Sequence, residues 1–252
     1  MQTVQNFSEI GRQQPISSGT LTASQAETDT AMEVKAATAS QADMAIAADV
    51  ESYSYNLYAL LAAFFLTGLD EDWLLAVQEL KLTAVDGGHE QYVRHMETIK
   101  ALIAAEPEEK LTIWQTEYTR LFLGPGQAPA YPYESLYRSP RRLLMQEITT
   151  EVRQVYLERG LVMAKLYTQP EDHLGVELEF LGYLQRKRLE EPQKSRVLAE
   201  VQREFIYTHL LTWMDDFAKD ILTNTEEPLF REIAGLLQEF LVSEEKRLST
   251  KI

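Results

Sequence analysis

A chain of 252 residues with 39 acidic and 24 basic side chains, a net charge of −15 and no cysteine excludes disulfides, thiolate metal sites and cysteine nucleophiles together. An acidic surface of this size repels nucleic acid and anionic membranes and attracts basic partners. No stretch approaches the roughly eighteen unbroken apolar residues of a membrane span, and the first thirty residues lack the basic start and apolar middle of an export signal, so the expectation is a soluble, cytoplasmic protein.

Residues 1–50 are rich in Ala, Ser, Thr and Gln, hold no Trp or Tyr, and contain six acids against two bases. With little besides alanine to bury, such a segment cannot offset its ordering entropy. It is expected to be a disordered tail, with at most a weak helix over Ala31–Val50, followed by one all-helical domain over residues 51–252.

From residue 51 onward every segment has helical spacing. Tyr53, Leu57, Leu60, Leu61 and Phe64 form one face that ends at Gly68. Asp70 caps a second helix with Trp73, Leu74, Val77 and Leu80. After a Gly87-Gly88 turn comes a third with Tyr92, Met96, Ile99 and Ile103. Pro107 opens a fourth, with Leu111, Trp114, Tyr118, Leu121 and Phe122 along its stripe. Residues Gly124–Ser139 hold three prolines and two glycines and exclude a regular helix. Tyr131, Tyr133, Leu136 and Tyr137 make this connection aromatic, which fits either a loop wrapped onto the core or part of a binding surface. Ser139-Pro140 starts a helix with Leu143, Leu144, Ile148, Val152 and Tyr156 inside and Gly160 as its stop. A short link over 161–167 follows, and the 161–169 stretch is a candidate hinge for helix exchange between copies.

The most informative stretch is Gln169–Leu184. Thr168 and Glu171 have the spacing of a capping box, Pro170 suits a first turn, and Glu171 and Asp172 place negative charge at the positive end of the helix dipole. Beyond His173 the run is apolar on nearly every side, which marks a buried core helix, and Gly175 and Gly182 leave room for a second helix. Asp172 and His173 then stand at the mouth of that helix as an accessible acid–imidazole pair, or serve only as cap and packing. A long helix over Gln193–Leu222, with Val197, Phe205, Trp213 and Phe217 inside, and a last one from Pro228 complete an all-α single globular bundle of about eight helices.

Chemistry is sparse. His173 and Glu177 share a helix face at a spacing a metal could use, but there is no second ligand cluster, so no metal or cofactor is expected. His209 lies between Phe205 and Trp213 at helical spacing, as a core histidine bonded to a backbone carbonyl would. There is no phosphate loop or nucleophile elbow. Asp172 and His173 point about 100° apart on a helix, and no third catalytic group is identifiable, so enzymatic turnover is not expected.

Three blocks, E-Y-T-R-L-F-L-G-P (117–125), Q-P-E-D-H-L-G-V-E-L-E-F-L (169–181) and F-I-Y-T-H-L-L-T-W (205–213), resemble the TorD/DmsD family of redox-enzyme maturation chaperones, close to the NarJ-type proteins. The resemblance covers about residues 53–245. It implies a helical cytoplasmic chaperone that binds the twin-arginine leader, or the apo form, of a molybdopterin oxidoreductase catalytic subunit until cofactor insertion, as a monomer or a domain-swapped dimer, without nucleic acid or stable membrane insertion. Carried over by motif, Pro170, Asp172 and His173, with neighbouring Glu171, match the leader-binding signature. Tyr118, Leu121, Phe122, Gly124 and Pro125 match the upstream block. Tyr133 stands where the family often has tryptophan. The alternative is a nucleotide- or molybdenum-cofactor-binding protein using Asp172 and His173.

Overall fold

The computed structural model describes residues 7–9, 51–81, 90–105, 107–124, 128–163 and 169–250. The Ala31–Val50 helix, the Gly87-Gly88 turn, Pro125 and Thr168 lie outside these residues.

Helix α1 spans 51–67. It ends where Gly68, at φ +82°, donates its N–H to Phe64 O at 3.0 Å. The left-handed conformation is natural for glycine, and an added Cβ there would also crowd the Tyr118 ring at 3.3 Å. In α2 (Glu71–Glu79) the Asp70 carboxylate accepts the Trp73 N–H at 2.7 Å, and the indole N–H reaches back to Leu60 O on α1 at 3.0 Å. Then come α3 (Glu90–Ala105) and α4 (Pro107–Tyr118), the latter running into a π-turn over Thr119–Leu123. That turn closes with the Gly124 N–H on Thr119 O at 2.7 Å.

The expected loop over 124–139 contains a short helix, α5 (Glu134–Arg138), because the prolines and glycines stop at Pro132. The next helix starts later than Ser139-Pro140 implied: α6 is Glu147–Glu158. Leu143 and Leu144, expected inside, are exposed together with Met145. Arg142 and Met145 take positive φ (48° and 58°), which breaks helical continuity before α6. A strand absent from the sequence reading follows: β2 (Leu161–Met163) pairs antiparallel with β1 (Phe7–Glu9), so part of the 161–167 link and three residues of the expected tail form a two-stranded ribbon.

Helix α7 spans Leu174–Glu190, and its apolar residues Leu174, Val176, Leu178, Phe180, Leu181 and Leu184 are all fully buried. The glycines act as anticipated. A Cβ on Gly175 would lie 2.6 Å from Leu66 Cγ and 3.1 Å from Ala62 O, and one on Gly182 would lie 3.4 Å from Tyr58 Cβ. Helix α1 therefore crosses α7 at backbone contact. The expected single helix over 193–222 is broken into a 3-10 turn (Pro192–Lys194), α8 (Ser195–Phe205), a π-turn (Ile206–Leu210) and α9 (Met214–Asn224). Val197, placed on its apolar face, is exposed. Helix α10 (Pro228–Ser249) closes the bundle. The eight expected helices thus become ten among the described residues, by addition of α5 and division of the long helix.

The core beneath α1 is aromatic. Phe64 and Phe65 meet Trp73, Tyr118, Phe122, Phe217 and Phe230 at ring separations of 5.3–6.0 Å. Such offset and edge-on pairs add to the burial they bring. At the far end of α7 a charged clamp joins three helices. Arg247 on α10 pairs with Glu51 at 2.7 Å and Glu244 at 2.6 Å, and Arg188 on α7 pairs with the same Glu51 at 2.9 Å. These groups are buried, so removing one member would strand its partner. No helix among the described residues is long and apolar enough to cross a membrane.

Candidate functional site

The P-E-D-H block is a turn and not the first turn of a helix. Residue 173 is the N-cap of α7, and its ring Nδ1 accepts the Gly175 N–H at 3.1 Å. The capping box expected from Glu171 is therefore replaced. The Glu171 carboxylate instead takes a forked guanidinium from Arg153 on α6, at 2.6 and 3.0 Å, and its carbonyl accepts the Tyr156 hydroxyl at 3.1 Å.

Asp172 and His173 are not accessible, contrary to the expectation of a docking pair at the helix mouth: they are 0% and 2% exposed. The reason is the loop that covers them. Pro132 O accepts the Leu174 N–H at 2.9 Å, and Asp172 O accepts the Glu134 N–H at 3.0 Å. A β-bridge joins Tyr133 to His173, and the two rings meet edge to face at 4.9 Å. Asp172 Oδ2 accepts the Ser135 N–H at 2.9 Å and Oδ1 accepts the Thr149 hydroxyl at 2.7 Å. One carboxylate thus ties the start of α5, the first turn of α6 and the N-terminus of α7. Burial pushes the His173 imidazole down to about 3, so the ring is neutral. With Nδ1 accepting, its proton sits on Nε2.

The upstream block is core. Tyr118, Leu121 and Phe122 are buried, with the Tyr118 hydroxyl on Phe65 O at 2.9 Å and Leu121 O accepting the Ala130 N–H at 3.0 Å. These three side chains, expected to contact a leader peptide, lie in the core, where Leu121 is bonded to the loop over them. At Gly124, φ is +26°, and a Cβ would press on the Ala128 backbone at 3.2 Å. Of the ten residues singled out, Pro170, Tyr133 and Gly124 keep partial exposure, and Pro125 lies outside the described residues.

A second acid–imidazole pair, invisible in the sequence, stands beside the first. Glu134 is fully buried and receives the Arg138 guanidinium and the His209 Nδ1–H, the latter at 3.1 Å. His209 is therefore bonded to a carboxylate and not to the backbone carbonyl expected. The π-turn delivers it: Leu211 N–H bonds Ile206 O at 2.9 Å, and the extra residue in the turn re-aims the side chains, a common feature of functional helices. Glu177 lies against the same group. Its two oxygens receive no donor among the described residues. Burial first, then the nearby Glu134 and Asp172 charges, raise its carboxyl well above the usual range. The raised carboxyl favours the protonated form, whose O–H has the Glu134 carboxylate nearby as an acceptor.

Arg138 and His209 also line an open cleft of about 600 Å³ between α6 and the π-turn, walled by Glu147, Glu151 and Gln154 on one side and Thr208 on the other. Among the described residues no group of three or more His, Asp and Glu is placed to hold a metal ion.

The family model described as nitrate reductase delta subunit matches residues 86–219, more than half of the chain. Curated relatives named chaperone protein TorD are similar at 28% identity over 126 residues in Photobacterium profundum, covering 49% of this chain and 58% of the relative. In Vibrio cholerae the figures are 30% over 105 residues, 41% and 47%. In Aliivibrio fischeri they are 26% over 136 residues, 53% and 63%. The chain spans about half the length of the curated relatives it matches. A solved putative redox enzyme maturation protein from Archaeoglobus fulgidus has 19% identity and a TM-score of 0.46, over 77% of this chain and 93% of that one.

Proposed function

Since this chain belongs to the nitrate reductase delta subunit family, we propose that it is a non-enzymatic, cytoplasmic maturation chaperone. Its client is a molybdenum-containing oxidoreductase subunit, whose twin-arginine leader or apo form it holds until cofactor insertion. The observation that carries this reading is the match over residues 86–219, which contains the P-E-D-H block and the loop it fastens. The relatives named TorD chaperones support it.

In this reading Asp172, His173, Glu171, Tyr118, Leu121 and Phe122 act from below. They hold the 128–138 segment so that the half-exposed Tyr133 and Pro170 face the client. Prefixing the loop in one conformation lowers the entropy that binding must overcome. The net charge of −15 supports rapid encounter with a basic leader, at a rate that falls with ionic strength. A nucleotide or molybdenum cofactor on Asp172 and His173 is disfavoured by their burial and by the satisfied Asp172 oxygens.

The test is calorimetric titration of the full chain with a twin-arginine leader peptide and, separately, with a guanine nucleotide. Saturable heat with the leader alone is expected. Heat with the nucleotide and none with the leader would reverse the assignment.

A further inference from the structure

The cleft between α6 and the π-turn carries two carboxylates on one wall and an imidazole on the other, beside the neutral side chains of Thr150, Gln154 and Thr208. His209 is 7% exposed, and its Nδ1–H is committed to Glu134. The tautomer with its proton on Nδ1 leaves Nε2 as an acceptor, and no hydrogen bond to it is made among the described residues. Glu147 and Glu151 stand one turn apart on the same face of α6, both line the cleft, and neither is in an ion pair among the described residues. Among the described residues the one cation lining it, Arg138, pairs with the buried Glu134, and no ion pair joins it to those carboxylates. Next to Glu147 in sequence, Leu143, Leu144 and Met145 are 47%, 38% and 52% exposed. That is a run of apolar surface held out by the positive-φ residues Arg142 and Met145.

We propose that this cleft is the recognition site for an arginine side chain of a basic peptide: the guanidinium donates to Glu147, Glu151 and His209 Nε2, and the apolar residues beyond it pack on Leu143–Met145. Guanidinium fits because it presents five donors and no acceptor, matching a site that offers acceptors. Exposed Arg141, and Arg142 lying over the Tyr137 ring at 5.6 Å, give direction. The peptide's basic end lies over α6, away from them, and its apolar part lies toward the 143–145 segment. Glu134 is a positioning residue that aims His209 and holds Arg138 aside. The partner's identity rests on the leader reading above; the site itself rests on the geometry.

The experiment compares the full chain with the surface variant Glu147→Gln/Glu151→Gln by fluorescence anisotropy. The two probes are a labelled leader peptide carrying Arg-Arg and its Gln-Gln counterpart. The expected result is an affinity for the Arg-Arg peptide at least about tenfold weaker in the variant, with a shallower salt dependence, and no change for the Gln-Gln peptide. A photo-crosslinker beside the arginines should mark residues 147–158. If the leader binds wild type and the variant equally, or crosslinks fall elsewhere, the cleft assignment is overturned while the leader reading stands. If the leader does not bind wild type at all, the leader reading falls and takes the cleft's peptide partner with it.

Discussion

Replacing Asp172 by alanine removes the acceptor for two buried donors, the Ser135 N–H and the Thr149 hydroxyl. A hydrogen bond to a charged group contributes about 1.5–3 kcal/mol, and an orphaned buried donor costs a similar amount. The variant should therefore lose about 3–6 kcal/mol, a large part of the roughly 5–15 kcal/mol that holds a domain together. Asparagine should be far milder. Its carbonyl can keep the Ser135 N–H while its amide donates to Thr149, whose hydroxyl can turn round to accept. A cost of about 1 kcal/mol is expected. Urea denaturation measures both, as a shift in midpoint at unchanged slope, and amide exchange at Ser135 should rise sharply in the alanine variant alone. Asp172→Ala within about 0.5 kcal/mol of wild type, with Ser135 still protected, would refute the bracket and the loop-holding role built on it.

Three further outcomes follow from buried groups. Because the His173 imidazole is depressed to about 3 by burial, the unfolded chain takes up its proton first as pH falls. This stability is complete above about pH 6.5 and is lost toward pH 3, by about 3 kcal/mol at pH 4.5; denaturation of His173→Asn across that window should lack this loss. Glu177 works in the opposite sense, since its raised carboxyl costs stability as pH climbs above the ordinary carboxylate range. Glu177→Gln should be more stable than wild type near pH 8 and indistinguishable near pH 4; equal melting temperatures near pH 8 would contradict the protonated Glu177. Gly175→Ala forces α1 off α7 and should cost about 1–3 kcal/mol in thermal denaturation, whereas Gly160→Ala meets no atom within 4 Å and should lose only what its φ of +72° demands.

The helices and most of the core were legible in the sequence, because apolar spacing is a local property and burial follows it: Leu57, Phe64, Trp73, Leu178 and Phe217 lie where their periodicity put them. Asp70 as a cap, Gly68 as a stop, and Gly175 and Gly182 as contact points were likewise readable, each being a short-range constraint on one turn or one close approach. What only the tertiary structure decided is which polar groups meet. Glu134 and His209 are 75 residues apart, and a π-turn whose single extra residue leaves no mark in the apolar pattern aims one at the other. The same loop that brings Glu134 in also seals Asp172 and His173, so a pair that looks accessible by chain position becomes internal bracing. Leu143 and Leu144 carry the opposite lesson, since their helical spacing counts for nothing where positive-φ residues break the helix and leave them in solvent.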